Sequence, residues 1–407
     1  MNRPKGFPIV PGPDTGWNLF NTDVAFPAAV LLESALTHNG AVMRAYCERH
    51  GVSLAPHGKT TMAPALFRRQ IADGAWAITA ATTWQAKTMR EIGLDRVLIA
   101  NEVVVPAEIE WLAEATSDGF EVYCYIDSIA GVEIMNETLA TVAGHITLPV
   151  LLEVGVAGGR TGVRSLEAGI DVARAAAAAP HLALSGTAGF EGIITGSDQR
   201  TAAELVEGFL DRIVEMTHAV AAGGWFEPTP EVIISAGGST YFDQVVERFS
   251  SVRIDFPCRI VLRSGCYLTH DDGSYDRTSP MGQHPRTEGG ERFNPVIEVW
   301  GVVLSRPEPT QALLGIGKRD VSADGILPLV KKLRRRGSAE IEAVEPMRVV
   351  ALNDQHAYLD LDPESPIGAG DLIGVGISHP CTTFDKWRAM ALVDDDYNVI
   401  EMVETLF

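Results

Sequence analysis

A short run of apolar and β-branched residues followed by a helix-like segment recurs along most of this chain, and few folds accept that beat. The runs are expected at residues 52–55, 76–80, 97–100, 122–126, 149–154, 182–184, 232–235 and 260–263. Helix-like segments at 61–73, 84–92, 107–115, 129–142, 166–179, 199–222 and 242–249 separate them. Eight strands in about 220 residues have the size and cadence of a (β/α)8 barrel. A doubly wound open sheet competes, but it rarely needs eight such units. An apolar helical stripe over 28–49 precedes the first strand.

Beyond Tyr267 the beat stops. Residues 271–295 are rich in Asp, Gly, Ser and Pro and read as a linker or long loop. Alternating runs at 295–304, 311–315, 347–352, 357–361, 372–376 and 390–393 then indicate a separate all-β domain. The fold class is thus α/β, an N-terminal (β/α)8 TIM-type barrel with a C-terminal all-β domain. The expected boundaries are 24–270 for the barrel and 271–407 for the β domain. Residues 1–23, with Pro4, Pro8, Pro11 and Pro13, are expected to be an extended arm packing on the β domain, or a strand lent to another domain.

Composition narrows the function classes. A net charge of -20 argues against nucleic acid and anionic membrane as partners. The basic cluster Lys331-Lys332-Leu333-Arg334-Arg335-Arg336 reads as a solvated face. Five scattered cysteines without Cys-x-x-Cys spacing indicate neither a disulfide framework nor a four-cysteine zinc site, and fit a reducing, cytoplasmic setting. No stretch approaches the roughly 20 apolar residues needed to cross a bilayer, and no signal pattern opens the chain.

Several residues placed at strand ends could carry chemistry, because the C-terminal edge of such strands is where ligands collect. Lys59, in Pro56-His57-Gly58-Lys59-Thr60, ends the first strand; among apolar neighbours its amine can become a neutral nucleophile able to form a Schiff base, and otherwise it is a solvated loop lysine. Gly237-Gly238-Ser239-Thr240 follows the seventh strand and opens a helix, which makes either an anion cradle or a capped glycine turn. Arg160 follows the fifth strand and could steady an anionic oxygen or sit on the surface. Tyr267 follows the eighth strand and could touch a cofactor, while Cys266 beside it reads as packing. His379 and Cys381, two residues apart, could share a zinc ion or be buried structural groups. His356 could be a third ligand or acid–base group, although a core histidine is the simpler reading.

Taken in order, Pro56-His57-Gly58-Lys59-Thr60, Gly159-Arg160-Thr161-Gly162-Val163, Gly237-Gly238-Ser239-Thr240, Arg263-Ser264-Gly265-Cys266-Tyr267 and His379-Pro380-Cys381 resemble the D-serine dehydratase and D-threonine aldolase family, within the alanine-racemase-like, fold-type III enzymes that use pyridoxal 5'-phosphate. The resemblance covers most of the chain. It implies a barrel that carries the cofactor, a C-terminal β domain and a homodimer with shared active sites. Lys59 resembles the lysine that holds the cofactor, Gly237, Gly238, Ser239 and Thr240 its phosphate cradle, Arg160 the arginine near the ring, and Tyr267 the tyrosine after the last barrel strand. His379 and Cys381 resemble the metal pair, for which Zn2+ is expected, another divalent metal being the alternative. Phe190 stands where the family often has tyrosine, Gln355 where glutamate is common, and Gly237-Gly238-Ser239-Thr240-Tyr241 is closer to aldolase cradles.

The activity so implied is a lyase acting on a small D-amino acid. Dehydratases of the family carry His-x-Cys with zinc and aldolases more often His-x-Asp with a harder metal, a split that ligand softness supports. Cys381 therefore leans toward removal of water from a D-β-hydroxy amino acid such as D-serine, giving keto acid and ammonia. Retro-aldol cleavage to glycine and an aldehyde is the alternative. A racemase needs no such metal pair, and a non-catalytic pyridoxal phosphate-binding protein is the reading from another class.

Overall fold

The computed structural model describes residues 5–9, 15–21, 24–142, 144, 146–226, 230–344 and 346–407. Pro4, Pro11 and Pro13 of the expected arm lie outside them. The chain forms two compact units, one of residues 44–59 and 70–265, the other of residues 1–43, 60–69 and 266–407.

The stretch expected as one helix over 28–49 begins instead as a strand, β1 (Ala28–Leu32), before helix α1 (Glu33–His50). Five apolar residues in a row fit a buried strand as well as a helix, and pairing decides the matter. β1 hydrogen-bonds on both edges within the β unit described below.

The first unit is built on eight parallel strands. They are β2 (Ser53–Leu54), β3 (Ile78–Ala80), β4 (Arg96–Glu102), β5 (Glu121–Ile126), β6 (Leu148–Val154), β7 (Leu182–Gly189), β8 (Val232–Ala236) and β9 (Cys258–Leu262). Their spatial order is β2-β9-β8-β7-β6-β5-β4-β3. The two ends of this series meet: Trp76 N donates to Leu54 O at 2.7 Å and Thr79 N to Pro56 O at 2.9 Å, with a parallel bridge between His57 and Thr79. The sheet is therefore closed, as the sequence cadence implied. Buried Ala55, Ala77, Leu98, Tyr125, Leu151, Ala188, Ile233 and Val261 supply one side chain in or next to each strand to a single interior cluster.

Helices α2 (Pro64–Ala72), α3 (Thr83–Glu91), α4 (Pro106–Ser117), α5 (Ile129–Thr141), α6 (Leu166–Ala178), α7 (Gln199–Ala222) and α8 (Phe242–Phe249) alternate in sequence with the strands. Local chemistry starts them sharply. Thr82, Ser128, Ser165 and Asp198 each accept from the backbone N–H three residues on, and Pro106 opens α4.

The second unit is mostly β. Its strands are β10 (Ile297–Glu308), β11 (Gln311–Leu314), β12 (Leu329–Arg334), β13 (Ile341–Ala343), β14 (Met347–Leu352), β15 (Ala357–Leu361), β16 (Leu372–Gly376), β17 (Ala389–Val393) and β18 (Val399–Glu404), with short helices α9 (Ser274–Thr278) and α10 (Cys381–Phe384). The main path runs β13-β12-β16-β10-β1-β17-β18, and β11, β15 and β14 extend from β10. β1 lies antiparallel to β10 and parallel to β17, so the N-terminal region contributes a central strand. Around it Trp17, Leu19, Val24, Trp300, Tyr397 and Val399 form a buried cluster. The arm docks by Gly16 N to Val399 O at 2.9 Å and Leu19 N to Tyr397 O at 3.0 Å.

The Lys331–Arg336 cluster is no solvated face, because its first four residues lie in β12: Lys331 meets Asp272 at 2.7 Å and Lys332 meets the fully buried Glu298 at 2.8 Å. Residues 271–295 form the long loop the sequence indicated, broken only by the short helix α9. The buried Asp271 carboxylate accepts Gly273 N at 2.7 Å and Tyr275 N at 3.0 Å, anchoring the start of α9.

Candidate active site

Lys59 lies in a short 3-10 turn, Gly58–Thr60, just beyond the end of β2. It helps line a cavity of about 190 Å³ in the barrel unit. His57, Tyr125, Glu153, Arg160, Phe190 and Arg263 share that lining, as do Asn101 and Gly238. All these residues lie at or beyond the C-terminal ends of the barrel strands. The edge at which the sequence placed the lysine is thus a real concavity.

Its electrostatics are unusual. Arg263, 5 % exposed, is fixed by donation to Ser235 Oγ at 2.7 Å and Gly189 O at 2.6 Å. The exposed Arg160 stacks its guanidinium 4.3 Å over the Phe190 ring, a cation–π contact between two residues that both line the cavity. Burial first, and then the charges of Lys59, Arg263 and Arg160, hold His57 well below the usual histidine range. His57 is therefore a neutral imidazole. Burial and then the Glu153 carboxylate push Glu102, at the end of β4, up to about 8. His57 Nδ1, Tyr125 Oη and Glu153 Oε2 are buried without a hydrogen-bond partner among the described residues. Three orphaned polar atoms around a lysine in one small cavity are costly unless a polar ligand meets them.

The cradle expected at Gly237–Thr240 forms the turn between β8 and α8. Gly237 has φ +91°, and a Cβ there would lie 2.8 Å from Leu262 Cδ2, so glycine is required. Its N–H and that of Gly238 point at Glu191, whose buried carboxylate accepts them at 3.2 Å and 2.5 Å. An anionic group is therefore already cradled by these two donors. Ser239 and Thr240 continue the turn, half-buried, toward α8.

The other expected site residues lie in the β unit. His379 and Cys381 flank Pro380 after β16. His379 Nδ1 lies 2.7 Å from Asp324 Oδ2, and its backbone N–H donates to Ser322 Oγ at 3.1 Å. A hydrogen bond to Cys381 first, and the Asp324 carboxylate as well, raise the imidazole to about 9. Cys381 Sγ lies 3.7 Å from Cys266 Sγ and 3.4 Å from Thr60 Oγ1. Hydrogen bonds from Cys266 and His379 hold Cys381 well below the usual thiol range. Tyr267 is 2 % exposed with its ring 6.1 Å from Phe293. His356 is neither a core residue nor near this cluster in sequence; it is exposed in the turn between β14 and β15. Among the described residues no group of three or more His, Cys, Asp and Glu side chains is closed around a point as a finished metal site.

The model of the "Alanine racemase, N-terminal domain" family matches residues 33–254, more than half of the chain. This chain belongs to that family. Its members are pyridoxal phosphate enzymes of fold type III, and a second family model, "Putative serine dehydratase domain", matches residues 297–393 of this alanine-racemase-like chain. It is 27 % identical over 327 residues to the 3-hydroxy-D-aspartate aldolase of Paracoccus denitrificans, covering 79 % of this chain and 78 % of that protein. It is 24 % identical over 402 residues to the D-threonine aldolase of an Arthrobacter species, covering 96 % and 94 %. Among solved structures, the D-threonine aldolase of Filomicrobium marinum superposes with a TM-score of 0.76 at 23 % identity, covering 94 % of this chain and 95 % of that one. The D-threo-3-hydroxyaspartate dehydratase of Delftia sp. HT23 gives 0.72 at 18 %, covering 94 % and 97 %.

The alanine-racemase-like cavity suits the cofactor its family implies: an amine, a fixed arginine and orphaned polar atoms face one small space. Sequence reasoning gave no role to His57, Tyr125, Glu153, Glu191 or Glu102. One signal was present: Glu102 and Glu153 each sit at or beside the end of an otherwise apolar strand run, where a carboxylate must be either paired or useful.

The raised carboxyl of Glu102 has a thermodynamic consequence. Its pKa rises from 4.5 to about 8, so the stability it contributes is fully present below pH 4.5 and is lost as pH rises through about 8. Glu102→Gln, which never ionises, should match wild type near pH 5. Above pH 8 it should exceed wild type by on the order of 1–2 kcal/mol, a figure discounted for partial solvent access. Urea melts of both proteins at pH 5 and pH 9 check this, and parallel pH dependences would show Glu102 ionised throughout.

Proposed function

We propose that this chain is a pyridoxal phosphate- and zinc-dependent lyase that eliminates water from a D-amino acid bearing a β-hydroxyl, such as D-serine, to give a keto acid and ammonia. The observation that carries the dehydratase reading is the thiol of Cys381 beside His379, whose imidazole is oriented by Asp324. Sulfur with imidazole suits zinc, whereas an oxygen ligand in place of Cys381 would suit manganese or magnesium. Asp324 on Nδ1 leaves Nε2 as the ligand atom, the usual second-sphere arrangement.

Lys59 is the amine that holds the cofactor and, once released, the base that takes the proton from Cα. Arg263 and Arg160 place positive charge around the cavity, and Ser239 and Thr240 supply hydroxyls for the phosphate, since Glu191 already engages the N–H groups of Gly237 and Gly238. When bound, pyridoxal phosphate supplies an electron sink for charge at Cα and zinc a Lewis acid for the β-hydroxyl. Neutral His57 adds no further positive charge to the cavity, and the barrel side chains beneath shut water out from below. A homodimer is part of the proposal.

A second reading has its own support. Both curated relatives above are named aldolases, and an aldolase needs only a base for the hydroxyl proton in place of a leaving hydroxide. Incubation with D-serine and D-threonine separates the two. Keto acid plus ammonia is expected; glycine plus an aldehyde would replace the dehydratase reading by the aldolase one.

A further inference from the structure

Cys266 was expected to be packing. In the structure its sulfur lies 3.7 Å from that of Cys381, and both belong to the β unit. Two sulfurs bound about 2.3 Å from one tetrahedral zinc stand about 3.8 Å apart, whereas a disulfide requires about 2.05 Å. The observed spacing fits two thiolates on one ion as well as it fits a hydrogen bond between the two sulfurs.

Ordinary packing also brings buried thiols into contact, but it surrounds them with apolar atoms. Here Thr60 Oγ1 lies 3.9 Å from Cys266 Sγ and 3.4 Å from Cys381 Sγ. Tyr275 hydrogen-bonds Cys266, and its ring lies 5.9 Å from that of His379. One hydroxyl within reach of both sulfurs and a second on Cys266 make a polar surrounding of the kind metal thiolates use. Charge agrees: zinc with one thiolate and a neutral imidazole leaves a net positive charge in a buried place, and a second thiolate cancels it.

We propose that Cys266 is a metal ligand, forming with Cys381 and His379 a site of two sulfurs and one nitrogen. The sulfur pair stands at about its bound spacing, and because the three side chains are not yet gathered around one point, the His379 imidazole moves in to make the third bond when the ion binds. The fourth tetrahedral position is left for water or a substrate oxygen. The inference rests on the metal-dependent reading above and sharpens it: two thiolates select zinc, cobalt or cadmium and discriminate against manganese and magnesium.

The test uses the pyridoxal phosphate-loaded protein, freed of metal by chelator under a thiol reductant and titrated with Co2+. Wild type should show thiolate-to-cobalt absorbance about twice that of Cys266→Ser and Cys266→Ala, and both variants should bind the ion at least about tenfold more weakly. X-ray absorption of the zinc-loaded wild type, which needs no variant, should count two sulfur neighbours per ion. One sulfur per ion, or variants with wild-type cobalt spectra and affinities, would overturn the assignment of Cys266 while leaving a metal on His379 and Cys381. If wild type takes up no cobalt or zinc, the underlying metal reading fails, and Cys266 with it.

Discussion

Replacing Lys59 by alanine should abolish the visible absorbance of the pyridoxal phosphate-loaded protein and lower turnover of any D-β-hydroxy amino acid by at least about 10⁴-fold. The size of the effect follows from the two tasks given to one atom. In the proposed mechanism Nζ of Lys59 both holds the cofactor and takes the α-proton, and among the described residues no other amine lines its cavity. Neutral His57, hemmed by three cations, is the nearest candidate substitute. The fold should survive the change, because Lys59 lies outside the interior cluster that fills the barrel. Absorbance spectra, borohydride reduction followed by mapping of the labelled residue, and single-turnover kinetics check the outcome. Turnover within tenfold of wild type, or a label on another residue, would remove Lys59 from the centre of the mechanism.

The barrel was legible in the sequence because parallel strands buried on both faces leave continuous apolar runs, and all eight such runs became strands. The β unit was less legible for the same physical reason in reverse. β12, Leu-Val-Lys-Lys-Leu-Arg, places charge inside a strand, and only its partners show that the lysines neutralise buried carboxylates. β1 could not be separated from a helix start by five apolar residues alone, since its pairing partners lie near residues 297–300 and 391–393. In the candidate site, residues whose meaning is local, such as Lys59 at a strand end or His379 two before Cys381, could be read directly. Those defined by distant contacts could not. Glu191 meets Gly238 across 47 positions, and Cys266 meets Cys381 across 115.

The misread basic cluster yields the largest stability effect. Glu298 is fully buried on β10, and its Oε2 accepts from Trp300 Nε1 at 3.1 Å and Tyr397 Oη at 2.7 Å. Its Oε1 meets only the Lys332 ammonium, 2.8 Å away, among the described residues. Lys332→Met keeps the apolar stem and removes the charge, leaving a carboxylate stranded in the core of the β unit. Breaking a buried pair costs about 3–5 kcal/mol; with the Lys332 side chain 33 % exposed, water can reach part of the way in, and about 2–3 kcal/mol is expected. For a chain of this size that lowers the melting temperature by about 2–4 °C. The double variant Glu298→Gln with Lys332→Met should recover most of the loss, because a neutral amide keeps the Trp300 and Tyr397 donors without stranding a charge. Thermal melts of the two variants beside wild type decide the point: if Lys332→Met melts with wild type, the lysine is solvated after all and the sequence reading of that cluster was right.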